Sequence, residues 1–318
     1  KKIKDKYQDS HITVISSSHN NHFIKSYKII DKVYQHNRGD NIFEKFSLIK
    51  DLLKYSYYAS FAVDGKSFSY LCNFLIKSKY KLGLVYKFKF LHIWFTKPNF
   101  FYNYFTFDKF ESFTSKKYLD KIEHLPKKLI NLANFLNLKI RVNDKYYFNI
   151  DPKVQIKFNQ FKYLKKKYIL FHLDEKWTDI KKINEDLYKN LSFLNKELKK
   201  NIVISTFNND FIYFKNLKKK LKIRKNSGIH IIENSNLFFF ERLIKNSICS
   251  ISCHSGFLVQ IAGTNSSNII DVINKSDYKW YSSWKPLNTK HKFIYKSYKN
   301  KQSIYVIFKN LLSTVKYF

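Results

Sequence analysis

Apolar residues recur at strand period and then at helical period, and this alternation runs twice along the chain. In the first half HITVISSS (11–18), KVYQ (32–35), YASFAVD (58–64) and LGLVYKF (82–88) read as strands. IFEKFSLIKDLLKYS (42–56) and residues 67–77 read as helices; Phe43, Phe46, Leu48, Leu52 and Leu53 recur at helical spacing and are expected to face a sheet. The polar opening KKIKDKYQDS reads as helical. Between 88 and 118 the pattern dissolves into HIWFTKPNFFYNYFTFDKF, suited to lining an acceptor cleft, to a packed insertion or to a membrane-docking surface. A helix returns at HLPKKLINLANFLNL, with Pro126 in its first turn and Leu129, Leu132, Phe135 and Leu136 as its stripe.

Residues 141–166 read as a connection, after which the alternation restarts. YILFHLD (168–174), IVIST (202–206) and GIHII (228–232) are strands, and 179–199, 209–221 and LFFFERLIKN (237–246) are helices. SICSISCHSGFLVQIAGTNSSNIID (247–271) then reads as a buried strand, a tight loop of small residues, a short helix and a second strand. The aromatic segment YKWYSSWKP precedes a last helix near 303–315. Strands alternating with helices predict an α/β chain with parallel, doubly wound sheets. Two such halves without a sequence repeat predict two Rossmann-like domains facing a cleft, with bounds at 1–150 and 151–318.

Composition changes this picture little. At 318 residues and 44% hydrophobic content the chain can bury large cores, which excludes a disordered basic tail. The formal net charge of +35 invites nucleic acid or an anionic membrane as partner. Yet Ala occurs four times while Lys, Asn, Ile, Phe and Tyr abound, as AT-rich coding would give, and the lysines are spread along the chain without a concentrated patch. Much of the charge is therefore compositional. Cys72, Cys249 and Cys253 form no disulfide framework, which favours a reducing compartment, and C-x3-C-H at 249–254 lacks the further ligands of a zinc site. No run reaches the length of a membrane span. The chain contains no Met, so its natural start is expected to lie upstream of Lys1.

Three loops after second-half strands can carry chemistry, since open α/β sheets bind ligands at the carboxyl ends of their strands. In FHLDEKW, Asp174, Lys176 and Trp177 stand where a phosphate, ribose or sugar would sit, with Lys176 to balance a diphosphate and Trp177 to pack on a ring. A solvated turn with a helix-start Asp and a packing Trp fits the same residues. In STFNND, Ser205, Thr206 and Asn208 offer ribose or phosphate hydrogen bonds, or form a turn and helix cap. In CHSGF, Ser255 and Gly256 open a helix whose N–H groups can hold an anion, and His254 can add a donor or a proton-transfer group.

With these loops the chain resembles glycosyltransferase family 9, the heptosyltransferase-like enzymes of GT-B fold. The resemblance rests on element order, on Lys176 and Trp177 after a second-domain strand, on the polar turn after IVIST, and on Ser255-Gly256 with its helix, similar to the family's Asp-Thr-Gly loop. His254 stands where the family has that Asp, and the family's following His falls near Val259. The family's Gly-Asp loop with its general base would precede Lys1, so no catalytic residue is named. The resemblance implies an inverting, metal-independent sugar transfer from a nucleotide-sugar to a glycolipid or surface-polysaccharide acceptor in lipopolysaccharide-type biosynthesis. No cofactor is implied beyond the donor substrate. It implies donor binding by Asp174, Lys176, Trp177, Ser205, Thr206, Asn208, His254, Ser255 and Gly256. A cytoplasmic location follows, with peripheral contact to an anionic membrane at the inner face of a bacterial inner membrane. The alternatives are a basic nucleic-acid-binding protein and a catalytically silent GT-B-like domain.

Overall fold

The computed structural model of the chain describes all residues except 26, 91–92, 98–106, 143, 145–157, 166, 224–227, 234–235 and 265–266. Much of the aromatic stretch and of the connection read from the sequence lies outside the described residues. Two compact units emerge: Lys1–Asn149 with Ser282–Trp284, and Ile150–Tyr281 with Lys285–Phe318.

The second unit is one sheet of six parallel strands: β7 (Tyr168–His172), β8 (Asn201–Ser205), β9 (Ile229–Ile232), β10 (Ser247–Ser252), β11 (Asn268–Asn274) and β12 (His291–Ser297). Their order across the sheet is β12-β11-β10-β7-β8-β9. The chain thus starts in the middle, winds outward through β8 and β9, then crosses back to β10 and winds the other way. That is the doubly wound order of dinucleotide-binding sheets, with its switch point between β7 and β10. Inner strands are near-continuous apolar runs because helices cover both faces: every residue of β7 and all but the first of β8 are buried. The edge strand β12, HKFIYKS, buries His291, Ile294 and Lys296 and leaves its other positions less buried, a strand not expected from the sequence.

Helices α6 (Ile183–Leu198), α7 (Ile212–Ile223) and α11 (Ile304–Lys316) pack side by side, and α8 (Leu237–Asn246) packs with α9 (Gly256–Thr264). α6 turns Ile183, Leu187, Leu191 and Leu194 inward at helical spacing, and α11 turns in Ile304, Ile307, Phe308 and Leu311. Asn236 caps α8 by accepting from the Phe239 N–H at 2.9 Å.

The first unit departs from the single doubly wound sheet expected of it. β1 (Thr13–Ser16) and β2 (Lys32–Gln35) form a separate parallel pair. β3 (Ser56–Ala62), β4 (Lys77–Phe90), β5 (Ile93–Lys97) and β6 (Lys109–Thr114) form a mixed sheet centred on β4. The long β4 pairs in parallel with β3 and β6 and then antiparallel with β5, so the strand continues where the sequence pattern loses its period. Helices are α1 (Lys2–Lys6), α2 (Ser18–Lys25), α3 (Ile42–Leu53), α4 (Ser67–Leu75) and α5 (Leu125–Asn134); α10 (Tyr278–Ser283) ends in the returning segment. That segment is tied in by Ser283 Oγ, which accepts from the Glu123 N–H at 3.0 Å. α3 begins in a capping box of Asn41 and Glu44. Its buried residues are Leu48, Ile49 and Leu52, while Phe43 and Phe46, expected inward, are 81% and 62% exposed, and Leu53 is exposed too.

Candidate functional site

The switch point brings together the turn after β7 and the turn after β10. In register, Phe171 and His172 of β7 lie beside Ile251 and Ser252 of β10, so both chains leave the sheet at one level. After β7, Asp174 caps a short 3-10 turn by accepting from the Lys176 N–H at 3.0 Å. Burial raises the Asp174 carboxyl to about 6. Lys176 Nζ reaches across and donates to the His254 carbonyl at 2.8 Å. Behind it Lys296 Nζ donates to the Lys176 carbonyl at 2.6 Å and pairs with Asp179 at 3.3 Å. Lys176 thus clips the two turns together, above the buried Leu173, Trp177 and Cys253 of one apolar cluster.

After β10 the chain makes a tight corner. Ser252 Oγ accepts from the Ser255 N–H at 3.1 Å, and His254 sits in the left-handed region at φ 58°, a conformation that few non-glycine residues take. Its ring stacks on Tyr281, with centroids 3.7 Å apart. Nδ1 is 2.7 Å from Asp271 Oδ2 of β11, and His291 Nε2 of β12 is 2.9 Å from the same oxygen. Gly256 then opens α9, is exposed, and has nothing within 4 Å of where a Cβ would lie. No packing inside the protein demands a glycine there, and the space beside Gly256 at the start of α9 is open, while Ser255 Oγ accepts from the Leu258 N–H at 3.5 Å.

The structure brings Asp174, Lys176, His254, Ser255 and Gly256 to one edge, Asp174, Lys176 and Ser255 being half-buried. It does not bring all the sequence candidates to open surface. Trp177 is wholly buried, with Nε1 donating to the His172 carbonyl at 2.9 Å, so its ring belongs to the core and presents no face to a sugar. Ser205 is buried, its hydroxyl 3.2 Å from His172 Nδ1, and burial lowers that imidazole to about 4, leaving it neutral. Thr206 is buried and closes its own turn: Oγ1 donates to the Asn208 carbonyl at 2.8 Å and accepts from the Asn208 N–H at 3.1 Å. Asn208 is exposed, its Oδ1 accepting from the Asp210 N–H at 2.8 Å.

Asp271 and His291 were absent from the sequence candidates. The signal was present: Asp271 is the charged residue inside the apolar strand NIIDVIN, and a carboxylate at such a position needs a partner. Burial alone would raise it, but the bonds from His254 and His291 outweigh burial and hold the carboxyl down at about 2.

No protein-family model and no curated protein sequence matches the chain. Solved structures do. The glycosyl transferase family 9 protein of Veillonella parvula DSM 2008 superposes with a TM-score of 0.70 at 11% identity, over 99% of this chain and 90% of that one. The ADP-heptose LPS heptosyltransferase II of E. coli gives 0.61 at 12% identity, over 100% and 93%. E. coli heptosyltransferase WaaC with ADP gives 0.63 at 10% identity, over 99% and 91%. Likeness across nearly the whole of each chain establishes the fold: this is a heptosyltransferase-like GT-B architecture.

Proposed function

We propose that the protein is a glycosyltransferase that moves a sugar from a nucleotide-sugar to a glycolipid or surface-polysaccharide acceptor of the lipopolysaccharide type. The observation that carries this reading is the pair of turns at the switch point, clipped by Lys176 on the His254 carbonyl, with open space beside Gly256. Brought together there are a cation, the N-terminal N–H groups of α9 and the Ser255 hydroxyl, the groups that a diphosphate leaving group needs as negative charge grows on it. Two of the solved neighbours are heptosyltransferases, one of them holding ADP, which supports a nucleotide-sugar donor here. On this reading the second unit binds the donor and the first the acceptor, and transfer is inverting, with Lys176, Ser255 and the Gly256 backbone holding the diphosphate. The fold likeness does not favour the nucleic-acid-binding or silent-domain alternatives.

The test is equilibrium binding of a panel of nucleoside diphosphates and nucleotide-sugars, followed by transfer assays with the donor that binds. Lys176→Ala is expected to weaken donor binding at least about tenfold, the scale of one charge-assisted contact. Unchanged affinity and turnover in that variant would remove the assignment.

Among the described residues no helix is long and apolar enough to cross a membrane. We infer peripheral contact with an anionic bilayer, supported by the net charge of +35 and by exposed Ile42, Phe43 and Phe46 beside Lys45 and Lys50 on α3. Co-sedimentation with phosphatidylglycerol vesicles should fall on Phe43→Ser with Phe46→Ser; sedimentation equal to that of the parent chain would exclude α3.

A further inference from the structure

Strand β12 and the segment after β11 set a run of aromatic rings along the outer flank of the second unit's sheet. His291, Phe293 and Tyr295 alternate along β12 and so share one of its faces. Tyr298 follows the end of β12, and Lys275 and Tyr278 follow the end of β11, the carboxyl ends at which open α/β sheets bind ligands. The rings meet in sequence, tilted or edge to face: His291 to Phe293 at 4.5 Å, Phe293 to Tyr278 at 5.3 Å, Tyr278 to Tyr295 at 6.2 Å and Tyr295 to Tyr298 at 5.3 Å between centroids. The run begins buried at His291 and ends in water, with Tyr278 37% and Tyr298 53% exposed. Lys275 Nζ lies over the Tyr298 ring at 5.1 Å. Among the described residues, the hydroxyls of Tyr278, Tyr295 and Tyr298 meet no hydrogen-bond partner.

These three phenols decide what can cover the run. An apolar occupant, such as a bilayer interior or a hydrophobic face of a second copy, would strip water from three hydroxyls and return no hydrogen bond. A pyranose meets both demands, offering C–H faces to the rings and hydroxyls to the phenols. Charge narrows the class further. Asp277 is the one acid between 272 and 300, and Asn274 Nδ2 already donates to it at 3.5 Å, whereas Lys275 and Lys299 are exposed. We propose that Tyr278, Tyr295 and Tyr298, with Lys275, form a binding surface for an acidic oligosaccharide. The surface is continuous with the corner after β10, because α10 carries Tyr278 at its start and, one turn on, Tyr281 against the His254 ring. It goes beyond the transfer reading and depends on neither a nucleotide nor a transfer step.

The test measures binding to the full chain by calorimetry, with galacturonate and hyaluronan hexamers as acidic probes and maltohexaose as the neutral one. A thymidylate hexanucleotide and phosphatidylglycerol vesicles stand for the competing partners. The acidic hexamers are expected to bind at least about tenfold more tightly than maltohexaose at low salt, with the preference shrinking as salt is added. Tyr278→Ala and Tyr298→Ala, which remove exposed rings and should keep the melting temperature, are each expected to weaken that binding about fivefold to tenfold, the scale of one aromatic contact. Tyr295→Phe keeps the ring and should cost about threefold, the scale of one neutral hydrogen bond. Tyr305→Ala, an exposed tyrosine on α11 outside the run, should change nothing. No binding of either acidic hexamer, binding that survives Tyr278→Ala and Tyr298→Ala, equal binding of maltohexaose, or tighter binding of the hexanucleotide or the vesicles through the same tyrosines overturns the proposal. Each of those results leaves the nucleotide-sugar reading standing, because that reading is tested by nucleotide binding at Lys176. Hexamer binding that depends on these tyrosines in a chain that binds no nucleotide would keep this proposal and remove that reading.

Discussion

The second unit gathers β7, β8, β10, β11 and the helices on one face into a continuous core running from Ile169 to Val315. The first unit distributes its apolar residues among smaller clusters, one around Leu48, Ile49, Leu52, Cys72 and Ile76, another around Leu82, Leu136 and Leu138. The consequence is visible at their surfaces. The continuous core sets the ends of β10, β11 and β12 so that a buried carboxylate lies between two imidazoles, while in the first unit Leu48, Ile49 and Leu52 of α3 are buried and Ile42, Phe43 and Phe46 of the same helix are exposed.

Substitutions can break this contrast, in descending order of effect. Trp177→Ala opens a cavity under the β7 turn and should cost about 3–5 kcal/mol, lowering the second unit's melting temperature. A loss below about 1 kcal/mol would mean the core there is not close-packed. Gly256→Ala adds a methyl where the protein offers no neighbour, so stability should hold within about 0.5 kcal/mol while diphosphate affinity falls about tenfold; unchanged affinity would place the ligand elsewhere. Glu241 on α8 has a buried Oε1 without a partner, and burial raises its carboxyl to about 7. Its folded value lies above its unfolded one, so its contribution is intact below about pH 4.5 and is lost as pH rises through about 7. Glu241→Gln should therefore stabilise the protein by about 1 kcal/mol at pH 8 and by almost nothing at pH 4, read from urea unfolding at the two pH values. Phe43→Ser should leave stability within about 0.5 kcal/mol, in contrast to Leu48→Ser five positions along the same helix. Comparable losses at both positions would mean that α3 is covered on both faces.

The parallel sheet of the second unit was legible because its inner strands are buried on both faces and so read as short apolar runs, as in YILFH and NIVIS. β12 was not, because an edge strand carrying Lys292 and Lys296 breaks the run. In the first unit, Phe43 and Phe46 fit the helical spacing but belong to the exposed face, and spacing alone does not say which apolar residues a neighbour covers. At the site, the turns could be located from strand ends. The role of Trp177 could not, since a ring after a strand can turn toward ligand or core, and here Nε1 finds the His172 carbonyl inside. The link from His254 to Asp271 and His291 spans two further strands and appears only when β10, β11 and β12 are set side by side.

The left-handed backbone at His254 also bears on how the turn can change over generations. Asn and Asp tolerate that conformation about as well as His, and both are one nucleotide away from either histidine codon. A lineage can therefore exchange the imidazole for the amide of Asn at this corner without straining the backbone. The side chain presented at this corner is open to a single base change.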